Sequence, residues 1–87
     1  MAISQKILKA KIALQQEAVA KQLRKLRIDA EMSQDNLAQL AGIDRKTINR
    51  IENGHFSPTL DTITRVCVVL KITPSNLLGS GKTTQKW

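Results

Sequence analysis

The apolar residues of this chain recur every three or four positions, and this spacing constrains the fold more than any other feature. On one face of the first thirty residues, Gln16 is the single polar member of a helical stripe of Ile12, Gln16, Val19, Leu23, Leu26 and Ala30. The apolar and polar alternation of a half-buried strand appears nowhere in the sequence. Aromatic residues make up only 2% of the 87 residues, so aliphatic side chains must fill the core. The pattern predicts one small all-α domain.

Glycine, proline and capping residues divide the chain into five predicted helices. Residues 3–30 lack both Gly and Pro, which predicts one long helix or two abutting ones, with Ser4 as the cap. Ser33 and Asp44 are the predicted caps of the second and third helices, and Gly42 ends the second. The inward faces of these two helices are predicted to carry Leu37, Ala38, Leu40, Ile48 and Ile51.

The remainder of the chain holds two more predicted helices and a tail. Ser57 or Thr59 caps a fourth helix, and Pro74 favours a short fifth helix that ends near Leu78. The apolar residues of the fourth helix are Leu60, Ile63, Val66, Val69 and Leu70. Residues 79–87 are predicted to be a flexible tail. Its GSGKTT lacks the upstream glycine, strand and helix of a Walker A phosphate loop. Trp87 is interpreted as exposed, with an anchor for a partner as the alternative.

Basic residues outnumber acidic ones and give the chain a formal net charge of +7. Residues 1–30 hold seven Lys or Arg against two Asp or Glu, a balance of +5. Residues 31–77 hold five of each and are neutral overall, whereas Lys82 and Lys86 add +2 to the tail. A charge of this size attracts an anionic partner such as nucleic acid or lipid headgroups.

Several classes of protein are disfavoured by the composition. No apolar run approaches the ~20 residues of a membrane helix, and the first residues lack the apolar segment of a signal peptide. Cys67 is the only cysteine and is expected in the core, which suits a reducing compartment and predicts a cytoplasmic location without membrane contact. One His and one Cys cannot supply the usual catalytic constellations, so we expect no enzyme activity, catalytic residue, metal or cofactor.

Residues 34–51 combine a short helix, a tight turn at Gly42 and a second short helix, which is the helix-turn-helix pattern. In such a pair the second helix lies in the major groove of DNA. Ile48 and Ile51 would hold that helix to the body and leave its other side to Arg45, Lys46, Asn49 and Arg50. These hydrogen-bond donors suit the acceptors on base edges in the major groove. The pattern favours this interpretation over a helix that is merely solvated.

A wider set of residues resembles the Xre family, which contains the phage Cro and repressor DNA-binding domains. The matching residues are Leu23-Arg24-Lys25-Leu26-Arg27, Met32-Ser33-Gln34, Leu37-Ala38, Leu40-Ala41-Gly42, Thr47-Ile48, Ile51-Glu52-Asn53-Gly54, Pro58-Thr59-Leu60 and Leu77-Leu78. The set is specific, although single members of it would be weak. The resemblance covers about residues 20–78 and implies a compact five-helix repressor-like domain there. Residues 1–19 are then a basic helical extension.

The resemblance also implies roles for individual positions. Contact with bases is implied for Arg45, Lys46, Asn49 and Arg50. Contact with the DNA backbone is implied for Ser33, Gln34, Thr47, Asn53, His55 and Ser57. Arg27 and Glu52 match an internal ion pair between the first helix and the recognition helix. Most relatives carry a small polar residue or glutamine near positions 45 and 46, so the bases that Arg45 and Lys46 would read stay open.

Together these features predict a sequence-specific, double-stranded DNA-binding transcriptional regulator that forms a homodimer and reads a palindromic operator. The fifth helix, with Ile72, Leu77 and Leu78, is the first candidate for the dimer contact, and the N-terminal helix is the second. Two alternatives stay open, an antitoxin that binds a toxin partner and a restriction-modification controller. The extension at residues 1–19 has three interpretations: a DNA arm, an oligomerisation helix or a solvated helix.

Overall fold

A computed structural model describes residues 2–79, and this part of the chain forms five helices and no strand. The helices are α1 (Gln5–Asp29), α2 (Gln34–Ala41), α3 (Arg45–Glu52), α4 (Leu60–Leu70) and α5 (Pro74–Leu78). The predicted all-α class with five helices is therefore confirmed. Beyond Gly79, the predicted tail, most of GSGKTT and Trp87 lie outside the described residues.

Each helix begins at a polar residue whose side chain accepts a hydrogen bond from an amide of the first turn. These N-caps are Ser4, Ser33, Asp44, Thr59 and Thr73. Of the two candidates for α4, Thr59 is the cap, since its Oγ1 accepts from the Thr62 amide at 3.1 Å. Caps of this kind contribute about 1 kcal/mol each, so the local sequence sets where the helices begin.

Residues 5–29 form one continuous helix of 25 residues rather than two abutting ones. Its predicted apolar stripe is only partly buried. Val19 and Leu23 are in the core, whereas Ile12 is 52% exposed and Ala30 lies past the helix end on the surface. The rest of the domain covers the C-terminal half of α1 and leaves most of its N-terminal half in solvent.

The core lies where the inner faces of the five helices meet. Its members are Val19, Leu23, Leu37, Ala38, Ile48, Ile51, Ile63, Val66, Cys67 and Leu77. The predicted inward position of Leu40 is wrong, because Leu40 is 65% exposed and Ala41 is buried in its place. Leu37, Ala38 and Ala41 share one face of α2, and Leu40 falls beyond its edge. Leu60, at the first position of α4, is likewise outside the core at 77% exposure.

Three glutamines of α1 bind its outer surface to the last third of the domain. Gln15 donates to the carbonyl of Leu78 at 2.6 Å, and Gln22 donates to the carbonyl of Asn76 at 2.9 Å. Between them, Gln16 donates to the Ser57 hydroxyl at 2.8 Å. α1 therefore rests against both α5 and the connector that precedes α4.

Candidate nucleic-acid interface

α3 has one buried apolar face and one exposed polar face. Ile48 is fully buried and Ile51 is 2% exposed, so these two side chains fix the helix on the core. The polar face is exposed and consists of Arg45, Lys46, Asn49 and Arg50. Since the ion pairs between described residues involve none of its three cations, this part of the protein does not neutralise their charge.

The turn between α2 and α3 fixes the direction in which α3 leaves the body. Gly42 adopts φ +72°, a left-handed conformation that costs glycine little and other residues more. The amide of Ile43 returns to the carbonyl of Ala38 at 2.9 Å, and Asp44 accepts from the amide of Lys46 at 2.9 Å. The base-facing residues Arg45 and Lys46 therefore begin a helix whose first turn is already capped.

Arg65 of α4 supports the same turn, and the sequence pattern gave no sign of this role. Its NH1 donates to the carbonyl of Ala41 at 3.1 Å, at the C-terminal end of α2. Its Nε also pairs with Asp61 at 2.9 Å, one helical turn earlier. A cation at a helix C-terminus interacts favourably with the free carbonyls there. Arg65 thus links α4 to the helix-turn-helix.

A bidentate ion pair joins α1 to the end of α3. Arg27 Nε lies 2.7 Å from Glu52 Oε2, and Arg27 NH2 lies 3.0 Å from Glu52 Oε1. The third Arg27 nitrogen donates to the carbonyl of Met32 at 2.8 Å, which ties down the link between α1 and α2. The side chains are 10% and 2% exposed, so water screens the pair weakly. The hydrogen bond to Glu52 raises the pKa of Arg27 and outweighs the burial that lowers it.

From Glu52 the polar contacts continue outward to the surface of α3. Gln34 Nε2 donates to Glu52 Oε1 at 3.1 Å, and Gln34 Oε1 accepts from Asn49 Nδ2 at 3.3 Å. Asn49 Oδ1 in turn accepts from Asn53 Nδ2 at 3.2 Å. We call Arg27, Glu52, Gln34, Asn49 and Asn53 the polar relay. Its geometry connects a buried ion pair to an exposed residue of the polar face.

The polar relay orients Asn49 without using up its hydrogen-bonding capacity. A carboxamide has two N–H donors and an oxygen with two lone pairs. One donor of Asn49 is bound to Gln34, and one acceptor site is bound to Asn53. A donor and an acceptor are left, which is the pair that an adenine edge requires in the major groove.

The residues matched to DNA-backbone contacts lie at both ends of the recognition unit. Ser33 and Gln34 begin α2, and the exposed Ser33 hydroxyl donates to Asn36 Oδ1 at 2.9 Å. At the other end, a shallow depression of about 190 Å³ is lined by Arg50, Asn53, His55 and Phe56. Within α3, Thr47 is half-buried beside the polar face. Ser57 is exposed, and its hydroxyl accepts from Gln16.

The three residues predicted at the dimer contact differ in how much surface they offer. Leu77 is 2% exposed and belongs to the core of the monomer, so its side chain is not available to a second copy. Ile72 and Leu78 are partly buried and pack on the edge of the core. α5 therefore presents Ile72 and Leu78, but not Leu77, at the surface.

Within the part of the chain that the structure describes, no group of three or more His, Cys, Asp or Glu could hold a metal ion. Cys67 is buried, and its burial raises the pKa of the thiol, which favours the protonated form. None of the described helices has the length and apolar character needed to cross a bilayer.

Comparisons with known proteins agree with this geometry. A helix-turn-helix family profile, HTH_3, matches residues 23–77. A restriction-modification controller protein from Aeromonas hydrophila is similar in structure, with 32% identity and a TM-score of 0.69 over 71% of this chain and 94% of that one. An HTH_3 family transcriptional regulator from Vibrio cholerae has 30% identity and a TM-score of 0.72, over 76% of this chain and 37% of that one.

A hypothetical transcription factor from Neisseria is 25% identical, with a TM-score of 0.71 over 75% of each chain. No curated protein matches the sequence. The family profile covers more than half of the chain, and the Aeromonas hydrophila protein is covered almost completely. The resemblance to the Xre family is confirmed, and the chain belongs to the HTH_3 helix-turn-helix family.

Proposed function

We propose that the protein is a transcriptional regulator that binds double-stranded DNA sequence-specifically by inserting α3 into the major groove. The observation that carries the proposal is the division of α3 into two faces. Ile48 and Ile51 are used up in the core, and the polar face holds three cations without an ion-pair partner among the described residues. Arg and Lys reach guanine acceptors in the major groove, and Asn suits adenine.

Contacts with phosphates would position the polar face on the duplex. The N-terminus of α2 offers backbone amides and the side chains of Ser33 and Gln34 to one phosphate, as helix N-termini commonly do. The depression beside Arg50, Asn53 and His55 offers donors to another. Backbone contacts fix register and orientation but carry no sequence information directly. Gln34 would therefore couple the two kinds of contact, because it hydrogen-bonds Asn49 on the polar face.

Dimerisation through α5 would give the regulator its two-fold symmetry. Ile72 and Leu78 are the apolar side chains that this end of the domain presents at the surface. Two-fold dimers with helix-turn-helix motifs read half-sites about 34–36 Å apart, so that both recognition helices enter the same side of the duplex. A palindromic operator with this spacing is the expected target.

A restriction-modification controller is the more specific role that one observation favours. The similar controller protein from Aeromonas hydrophila is covered over 94% of its length, whereas the Vibrio cholerae regulator is covered over 37%. This chain therefore resembles the controller in size as well as in fold. If it has that role, its gene should lie beside reading frames for a DNA methyltransferase and an endonuclease. The antitoxin alternative stays a prediction, and a neighbouring toxin gene would favour it instead.

Selection of bound duplexes from a random pool tests the proposed function directly. The protein is expected to enrich a two-fold symmetric sequence with half-sites one helical turn apart. Repeating the selection with Arg45→Ala should relax the preference at one base pair of each half-site. A pool that shows no enriched sequence after repeated rounds would contradict sequence-specific binding.

A further inference from the structure

The N-terminal half of α1 carries an apolar groove that the described part of the protein leaves open. Ile3, Ile7, Leu8 and Ile12 line it, together with Lys11 and Gln15, and its volume is about 370 Å³. These four apolar residues are between 38% and 64% exposed. We call this feature the α1 groove. A contiguous apolar surface of this kind is a common mark of a binding site.

The α1 groove begins where the described chain ends. Gln15, which lines the groove, donates to the carbonyl of Leu78 at 2.6 Å. A second apolar depression of about 230 Å³ adjoins it, shares Ile12 and Gln15, and is lined on its other side by Pro58, Ile63 and Leu78. The half-buried Gly79 follows directly. The backbone from which residues 80–87 continue is therefore held at the edge of the α1 groove.

Residues 80–87 are long enough to reach every part of the groove. Eight extended residues span up to about 26 Å. Leu8 precedes Gln15 by seven residues, which is about 10 Å along a helix axis. The segment reads SGKTTQKW, so Trp87 is its single large apolar side chain and the only tryptophan in the sequence. An indole ring buries enough apolar area to dominate a contact of this size.

We propose that residues 80–87 fold back along α1 and that Trp87 occupies the α1 groove. Burial of the indole against Ile7, Leu8 and Ile12 supplies the stabilisation. The lysines of the segment do not prevent this, because Lys6 and Lys9 of α1 do not line the groove and salt screens exposed charges beyond about 8–10 Å. The segment thereby covers the apolar surface of the N-terminal extension.

A second copy of the chain is a weaker competitor for the same groove. A short flexible connection gives its end an effective concentration in the millimolar range. A second chain in a micromolar solution is therefore outnumbered by the segment that is already attached. The basic character of the extension, with Lys6, Lys9 and Lys11, also disfavours bringing two such helices together.

Tryptophan fluorescence of the full chain tests the proposal, because Trp87 is the only source of the signal. The emission maximum and its quenching by acrylamide are measured for the unmodified protein, for Leu8→Gln and for Leu14→Gln. Both substitutions replace an exposed leucine of α1 with a good helix former. Leu8 lines the groove, whereas Leu14 does not line it. Helix content by circular dichroism shows that each variant is folded.

The unmodified protein is expected to emit at shorter wavelength than free tryptophan and to resist quenching, at every protein concentration. Leu8→Gln should move both values towards those of free tryptophan, and Leu14→Gln should leave them unchanged. Emission like that of free tryptophan in the unmodified protein overturns the proposal. It is also overturned if the shielding disappears on dilution, which would assign the groove to a second copy, or if both variants lose it equally. No DNA is present, so the result is independent of the proposed function.

Discussion

Glu52 is the residue on which the polar contacts beneath α3 converge, since its carboxylate accepts from both Arg27 and Gln34. Glu52→Ala should lower the free energy of unfolding by about 3–5 kcal/mol, because Arg27 is then left buried and unpaired. Urea unfolding followed by circular dichroism measures the change. Glu17→Ala is the matched control. Glu17 pairs with Lys21 on the surface, where removing a partner costs only about 0–1 kcal/mol. Equal losses in the two variants would contradict a structural role for the Arg27–Glu52 pair.

Gln34 should affect DNA binding more than stability. Its side chain bridges Glu52 and Asn49, and Gln34→Ala removes both hydrogen bonds while the Arg27–Glu52 pair stays intact. The dissociation constant should rise by a similar factor on the selected operator and on unrelated duplexes, since a backbone contact is lost on each. Fluorescence anisotropy with labelled duplexes measures both. A loss confined to the operator would mean that Gln34 acts through base reading alone.

At the residue scale, the sequence supplied the members of the site but not their connections. Arg27 and Glu52 were paired by resemblance, and they lie 2.7 Å apart in the structure. The hydrogen bonds from Gln34 to Asn49 and from Asn49 to Asn53 were not predicted. Such contacts depend on how α2 and α3 cross, and the spacing of residues along one helix contains no information about a crossing. Arg65 was missed for the same reason, because its target is a carbonyl 24 residues away.

Among the helices and turns, the αL position at Gly42 is the sharpest local requirement of the helix-turn-helix. Gly42→Ala should destabilise the fold by about 1–2 kcal/mol, because a side chain in this conformation crowds its own backbone. The added Cβ would also lie 3.1 Å from Arg65 NH1, the mobile end of a side chain that can shift. Gly79→Ala is the control, since Gly79 is extended at φ −117°. Urea unfolding of both variants is the measurement, and equal stabilities would show that no strain is present at Gly42.

The N-terminal extension should contribute little to DNA binding. Lys9 lies 18 residues before Arg27 on the same helix, which is about 27 Å along its axis and well beyond the screening length. Deleting residues 2–12 keeps Gln15, Gln16 and Val19, which hold α1 to the body. The slope of log K against log salt concentration should be unchanged. A slope flatter by about 0.9 for each lost phosphate contact would instead identify the extension as a DNA arm.

Helix positions were predictable because their signals are local. Caps at Ser33, Asp44 and Thr73 and the stop at Gly42 act within one turn of the residue concerned. Leu40 was placed wrongly because α2 is only eight residues long, and so short a helix defines the edge of its apolar face poorly. Which of Leu40 and Ala41 is buried was decided by how α2 packs on α4.

For the whole molecule, a two-fold dimer should respond to the spacing of its operator. Inserting five base pairs between the half-sites turns them to opposite sides of the duplex, and cooperative binding should be lost. Inserting ten base pairs returns them to the same side and should restore part of it. Gel-shift titrations of the three duplexes measure the effect. Equal affinity for all three would contradict simultaneous reading of two half-sites by one dimer.

The family could be inferred from the sequence because its matching residues are spread over most of the domain. The α1 groove could not be inferred, since Ile7, Leu8 and Ile12 are as apolar as the core residues that continue the same helix. Only the packing shows that the body covers α1 from Val19 onward and leaves the earlier residues exposed. Exposure is a property of the assembled molecule rather than of the helical pattern.

Base reading by α3 is tested most directly by measuring dissociation constants for the selected operator and all its single-base-pair substitutions. The unmodified protein and Arg45→Ala are compared on the same set. Arg45→Ala should bind the operator more weakly by about 1–3 kcal/mol and lose discrimination at one base pair per half-site while keeping it elsewhere. If Arg45→Ala keeps every preference of the unmodified protein, or weakens on all duplexes equally, then Arg45 does not read a base.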